Sequence, residues 1–295
     1  MFKDRKGILI TLAIIIVLLA IASRFVNFSE IANVLVKADV SLLLLALVCE
    51  VIALCLKTFR WKTLVSEIKQ ISFFELFKIE VAGTAISNLT PARVGETAKA
   101  LYLERHGVKK RFSLLTIFWE RLFDLIAILI FSTFIASTFS GAIPIIFALI
   151  CIAIIGAYHA DKIALRLSRI RRLSFLGDLT LHKFSKKTLL TSMLVTLVAW
   201  LFDLLAVSLA FQAVGAALPF TQIMGAFSIS IIVGIISAIP GGFGSAEAVL
   251  FLLLKDSYPS PVLGAAFVAT RLVTLIWIFL IGGICAILLE QKQSK

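Results

Sequence analysis

The chain has 295 residues, 60% of them hydrophobic, and a mean hydropathy of +1.06, far above a soluble domain and carried by repeated long apolar stretches. Its 29 Lys and Arg against 17 Asp and Glu give a formal charge of +12, but the basic residues cluster between apolar runs, where they report membrane orientation. A soluble globular fold and a nucleic-acid partner are thereby excluded, and the sequence predicts an all-α integral membrane protein built as a single membrane domain.

A first span is expected over 7–26, after "MFKDRKG". It reads as a signal peptide ending in the "AIA" of 20–22, a signal anchor or an ordinary first helix, and its long apolar core argues against cleavage. A second span covers 41–60. The next apolar run, 73–89, meets Asn88, Pro91 and Gly95 and continues as a half-length helical piece over 95–106. Spans over 112–138 and 142–158 come next. In the basic stretch 159–186, Lys162, Arg166 and Arg169 alternate with Ile163, Leu165, Leu167 and Ile170. It is either an amphipathic helix on an anionic leaflet or a loop that fixes topology. A span over 188–213 precedes a second broken run, 220–239 and 245–254, interrupted by "IPGGFG", and the last span covers 262–289. Each full span is near the ~20 residues that cross ~30 Å of hydrocarbon. Irregular backbone at membrane depth is tolerated only where protein surrounds it or a hydrated cavity borders it. The two broken runs are therefore expected to be re-entrant helical hairpins at a site, giving six full transmembrane helices plus two hairpins.

With a cytoplasmic N-terminus, the basic residues fall on one side: Lys57, Arg60, Lys62 and Lys69, then Lys99, Arg105 and Lys109 to Arg111, the block from Lys162 to Lys187, and Lys292 and Lys295. The opposite loops, 24–40, 139–141, 214–219 and 255–261, carry little net charge, as the positive-inside rule expects. This predicts the cytoplasmic membrane, with both termini cytoplasmic and no net crossing between 73 and 106. Cys49, Cys55, Cys151 and Cys285 show no paired spacing, and His106, His159 and His182 lie in basic loops. Neither a disulfide nor a metal is expected.

The two halves of the chain resemble each other. "CEVIALCL" at 49–56 aligns with "FDLLAVSL" at 202–209, pairing Glu50 with Asp203 and Ala53 with Ala206. "NLTPARVGE" at 88–96 aligns with "SAIPGGFGS" at 237–245, pairing Pro91 with Pro240 and Gly95 with Gly244. "ERLFDLIAI" at 120–128 aligns with "TRLVTLIWI" at 270–278, pairing Arg121 with Arg271. The offsets, 153, 149 and 150, are nearly constant. Because the first unit begins from outside and the second from inside, the repeats 41–138 and 188–289 are expected to be inverted. The segments 1–40 and 139–187 then lie outside the repeat, the second as a connector.

In such a fold the hairpins meet near the midplane. The amides of their second halves, around Gly95 and around Gly241, Gly242, Gly244 and Ser245, then face a substrate and favour an anionic group. Arg121 and Arg271 lie about ten residues into their helices, or ~15 Å, which places both near mid-bilayer. A midplane arginine costs about 2.5–3.5 kcal/mol on insertion scales and is normally paired or faces a wet path. Either they bind phosphate, for which arginine is the preferred fork, or they pair structurally with Glu96, Glu120, Asp124 or Glu247. Glu96 and Glu247 also sit where an acid suits the helix dipole. Glu50, Glu120 and Asp203 are candidate counter-ions or proton-coupling groups. Arg93 stands where the second half has Gly242, which makes the first hairpin more cationic.

The stretches "NLTPARVGETAKALYLER" at 88–105, "ERLFD" at 120–124 and "IPGGFGSAEA" at 239–248 followed by Arg271 resemble the transmembrane (flippase) domain of the lysylphosphatidylglycerol synthase/flippase superfamily, as a stand-alone, flippase-like member. The resemblance covers nearly the whole chain. It implies inverted re-entrant hairpins and the movement of lipids with charged headgroups between leaflets. The soluble catalytic domain of the aminoacylating members and the glycosyltransferase domain of others have no counterpart here. Nor is there a Gly-rich nucleotide loop or a nucleophile–base pair, so no enzymatic activity and no cofactor are expected.

Three readings follow. The first is a translocase for a lipid with an anionic or zwitterionic phosphate headgroup, a membrane phospholipid or a polyprenyl-phosphate lipid, working by alternating access at a midplane cavity. The second is a proton-coupled transporter of a small anion. The third is a non-transporting accessory protein of a membrane glycosyltransferase. A homo-oligomer and a lipid-modifying enzyme partner are compatible with each.

Overall fold

The computed structural model describes residues 28–90, 95–137 and 182–291, together with the isolated positions 149, 156, 162 and 166. The expected span over 7–26, all but positions 149 and 156 of that over 142–158, most of the basic stretch, Cys151, His159 and Arg93 lie outside the described residues.

All described elements are helical. Helix α1 (Phe28–Val36) is followed by α2 (Val40–Ser66), which starts where the Asp39 carboxylate accepts the amides of Ser41 and Leu42 at 2.8 and 3.2 Å. Ser72 caps α3 (Phe73–Asn88), and beyond a break α4 (Thr97–Arg105) leads into α5 (Lys110–Ser132), which ends in a 3-10 turn at Thr133–Ser137. Ser185 caps α6 (Lys186–Ala213) by accepting the Thr188 amide at 3.1 Å. Then come α7 (Phe220–Ile236), a 3-10 turn at Pro240–Gly242, α8 (Ser245–Leu254) and α9 (Ser260–Arg271). A π-helical turn, Leu272–Ile276, joins α9 to α10 (Trp277–Gln291).

Three stretches, Val40–Ser66, Lys186–Ala213 and Ser260–Gln291, are long and apolar enough to cross a membrane. Helix α5 occupies the expected 112–138 span but carries Glu120, Arg121 and Asp124 in its middle, and α7 and α8 are shorter apolar helices. The last expected span is interrupted directly after Arg271 by the π turn, a feature that often accompanies function. Large apolar side chains are exposed in stripes at helical spacing: Leu190, Leu194, Val198 and Leu201 on α6, and Leu280, Ile284 and Ile287 on α10. An outward apolar stripe is what a lipid environment requires.

Helices α2 and α6, the first of each half, pack along each other, and Ala46, Ala53, Ala206 and Ala210 are fully buried on them; small side chains let helices approach closely. Packing also crosses between the halves: α3 of the first half packs chiefly on α10 of the second, and α7 of the second packs on α5 of the first. Glycines permit both approaches. A methyl group at Gly282 would collide with Ala85, and one at Gly225 with the backbone of Ile135. The apolar core forms two main clusters. One joins Ile31, Ala46, Phe211, Ile223, Leu254 and Leu263; the other joins Trp61, Leu76, Ile79, Tyr102, Leu103 and Leu289.

Candidate functional site

Both broken apolar runs turn at glycines. At the first break, Thr90 Oγ1 accepts the Gly95 amide at 2.7 Å, and a Cβ on Gly95 would lie 2.6 Å from the Ile86 carbonyl. At the second, Ala238, Gly241, Gly242 and Gly244 have φ of 54°, 61°, 64° and 81°, left-handed conformations that glycine adopts without penalty and alanine does not. The tips approach each other, since a Cβ on Gly241 would sit 3.4 Å from the Asn88 carbonyl. The Ser237 and Ser245 hydroxyls bond each other at 2.9 Å across the second break.

An arginine closes on each break. Arg121 Nε lies 3.0 Å from Glu96 at the head of α4, and its Nη2 lies 3.0 Å from Asp124. Arg271 Nε donates to Glu247 in the first turn of α8 at 2.5 Å, and its Nη1 donates to the Gly241 carbonyl at 3.0 Å. The guanidinium also lies over the Phe243 ring, 4.7 Å from its centroid. Glu247 reaches back to accept the Gly244 amide at 2.8 Å, so it both caps its helix and pairs with Arg271. Glu96 makes no such cap; it accepts the Ser87 hydroxyl at 3.4 Å and turns toward Arg121.

Between these elements lies a cavity of about 200 Å³, room for roughly six or seven waters at their liquid volume. Of the residues singled out in the sequence, Glu50, Glu96, Arg121, Asp124, Asp203, Gly241, Gly242, Glu247 and Arg271 line it. Gly95, Gly244 and Ser245 shape the breaks without forming its wall, and Glu120 is fully buried outside the lining. Sequence reasoning missed Lys57, Glu80 and Trp200, which also line it. Lys57 pairs with Asp203 at 2.6 Å, with its ammonium 5.3 Å from the Trp200 ring centroid, while the Trp200 indole donates to Asp124 at 3.0 Å. Among the described residues, six lining carboxylates, Glu50, Glu80, Glu96, Asp124, Asp203 and Glu247, face three lining cations, Lys57, Arg121 and Arg271, while Arg60 and Lys99 behind the wall hold Asp124 and Glu80. The described lining thus carries a formal surplus of negative charge beside its two arginines.

A second set of charges corrects the reading of the basic residues as loop markers. Arg60 and Lys99, assigned with the cytoplasmic loops, are 0% and 1% exposed. Arg60 pairs with Glu120 at 2.8 Å and Asp124 at 2.6 Å, and Lys99 with Glu80 at 2.5 Å and Glu120 at 2.8 Å. The Lys99 ammonium also sits 4.3 Å from the Trp61 ring centroid. Each cation is buried because it holds two carboxylates, which offset the desolvation that would otherwise drive it to the surface. The second half lacks such a set: at the offset of 150, Glu120 and Asp124 correspond to Thr270 and Thr274. The signal that could have revealed it was the presence of unmatched acids, Glu80 and Glu120, inside apolar stretches.

Residues 8–282 match the family described as the lysylphosphatidylglycerol synthase TM region. The chain is similar to a UPF0104 membrane protein of Methanocaldococcus jannaschii, 22% identical over 99% of this chain and 98% of the relative. It is also similar to UPF0104 membrane proteins of Methanothermobacter thermautotrophicus, 25% identical over 97% and 95% of the two chains, and of Pyrococcus horikoshii, 25% identical over 95% and 96%. With its helical membrane-type architecture and a match over almost its full length, the chain belongs to the family of the lysylphosphatidylglycerol synthase transmembrane region.

Proposed function

We propose that the protein is a lipid translocase of the cytoplasmic membrane that moves a phospholipid with a zwitterionic headgroup between leaflets. The observation that carries this reading is the cavity at the meeting point of the two hairpin tips, where Arg121 and Arg271 stand among six carboxylates. A guanidinium has five donors; Arg121 pairs with its acids on the Nε and Nη2 side, although its buried Nε completes no hydrogen bond, and its Nη1 is left to take a phosphate oxygen. The acid surplus suits an ammonium on the same headgroup and disfavours a lipid with net negative charge. At about 200 Å³ the cavity holds a headgroup and leaves the acyl tails in the bilayer. The packing between the halves supports an inverted repeat in which one half rocks against the other to alternate access. In this reading both termini lie in the cytoplasm, as the clustering of basic residues along the sequence suggests by the positive-inside rule.

The test is a dithionite-quench assay on purified protein in liposomes carrying tail-labelled phosphatidylethanolamine or phosphatidylglycerol. The zwitterionic lipid should exchange between leaflets well above the rate in empty liposomes and faster than the anionic one. Exchange of neither lipid, or of phosphatidylglycerol alone, overturns the reading.

A further inference from the structure

Glu50 stands apart from every other acid of the cavity. It is 6% exposed and lines the wall, yet it has no hydrogen bond or ion pair among the described residues. The charges that act on it are those of Asp203 and Lys57, and Lys57 is engaged with Asp203 at 2.6 Å. The other charged groups facing this space are already committed: Asp124 to Arg60 and Arg121, Glu80 to Lys99, and Arg271 to Glu247. Cys49, its neighbour in sequence, is a buried free thiol. One ammonium thus serves two carboxylates, one from the first helix of each half. A lone ionised carboxylate in so buried a place is strongly disfavoured unless it acquires a counter-ion or a proton.

We propose that Glu50 is a proton-binding site of the transport cycle, taking one proton from water on one side of the membrane and releasing it on the other as each lipid crosses. The proton adds to a carboxylate oxygen of Glu50 and leaves from it, so no bond elsewhere changes and no redox partner is involved. Glu50 and Lys57 are seven residues apart on α2, two turns along one stripe of the helix. Rocking of α2 against α6 moves Asp203 toward or away from Lys57, and when Asp203 withdraws the Lys57 side chain is free to swing along its own helix toward Glu50. When Lys57 pairs with Asp203, as here, Glu50 holds the proton; when Lys57 turns to Glu50, the proton is expelled.

The inference rests on the translocase reading for its cycle, but the site itself can be tested without transport. Infrared titration of the purified protein should show a protonated-carboxyl C=O band near neutral pH that disappears in Glu50→Gln and persists in Asp203→Asn. Glu50→Asp, which keeps the carboxyl, should shift the band, and it serves if the Gln variant does not fold. In liposomes clamped at zero potential, one proton per lipid makes a gradient of one pH unit equivalent to about 1.4 kcal/mol, or about tenfold enrichment of lipid in one leaflet. Glu50→Gln should leave the leaflets equal under the same gradient. Absence of the band, or a band unchanged by Glu50→Gln, overturns the site. Lipid movement indifferent to pH, or driven instead by a sodium gradient at equal pH, overturns the coupling. If no lipid moves at all, the translocase reading fails while the infrared result still decides the proton site.

Discussion

Replacing Arg60 by Met should expose how much of the fold depends on the buried charges. Arg60 is fully buried; it holds Glu120 at 2.8 Å and Asp124 at 2.6 Å and donates to Thr196 Oγ1 at 3.3 Å. Met fills most of the same volume, so the perturbation is the lost charge rather than a cavity. Both acids are left short of a partner, but Glu120 keeps Lys99 at 2.8 Å, and Asp124 keeps Arg121 and the Trp200 indole, each at 3.0 Å. Breaking one side of a buried pair costs about 3–5 kcal/mol. Because each acid retains a cation, the total is expected within that range rather than at twice it. At about 2 °C per kcal/mol, the low end of the range for large domains and the one suited to a chain of 295 residues, the apparent unfolding midpoint should fall by about 6–10 °C. Thermal unfolding in detergent, followed by tryptophan fluorescence and size exclusion, measures it. Adding Asp124→Asn removes one of the acids left short and should recover at least about half of the loss. A midpoint within about 2 °C of wild type for Arg60→Met, or a double variant worse than the single by the full cost of a second substitution, would refute the reasoning.

The arginines at the breaks separate binding from scaffolding. Arg271→Leu is expected to abolish movement of the zwitterionic lipid while the protein still purifies as one species, and Glu247→Gln should not restore it; restoration would make the pair structural. On α10, Gly282→Ala should destabilise, because its methyl collides with Ala85, whereas Gly283→Ala, with nothing within 4 Å, should be neutral or stabilising by up to about 1 kcal/mol. At the second break, Gly241→Ala and Gly242→Ala should each lower stability by about 1–2 kcal/mol through left-handed strain, read as a lower unfolding midpoint. Beyond the end of α2, burial pushes the Glu67 carboxyl up, but hydrogen bonds from Thr188, Ser185 and His182 together outweigh it and hold the group below the usual glutamate range. A lowered carboxylate contributes stability above its unfolded pKa that is lost as pH falls through the folded value. The unfolding midpoint should therefore fall less steeply from about pH 6 to about pH 3 in Glu67→Gln than in wild type; equal slopes would refute the clamp.

The sequence by itself determined the helical membrane class, the position of both breaks and the recurrence of an acid, a Pro–Gly break and an arginine in each half. Those features are local: hydropathy sums over neighbouring residues, and proline and glycine act on their own backbone. It also pointed to most of the charged lining, since an arginine or glutamate deep in an apolar helix is conspicuous wherever its partner lies. What it could not decide was partnership. Arg60 lies between Lys57 and Lys62 near the end of α2, a flank that reads as a cytoplasmic margin until α5 brings Glu120 and Asp124 against it. Lys99 likewise reads as a loop cation until Glu80 and Glu120 close on it. Ion pairing depends on distance in space, and the residues here are joined across gaps of 60 and 64 positions in the chain. The same holds for Glu50, which looks like its counterpart Asp203 in sequence. Only the packing of α2 on α6 gives Lys57 to one of them and leaves the other alone.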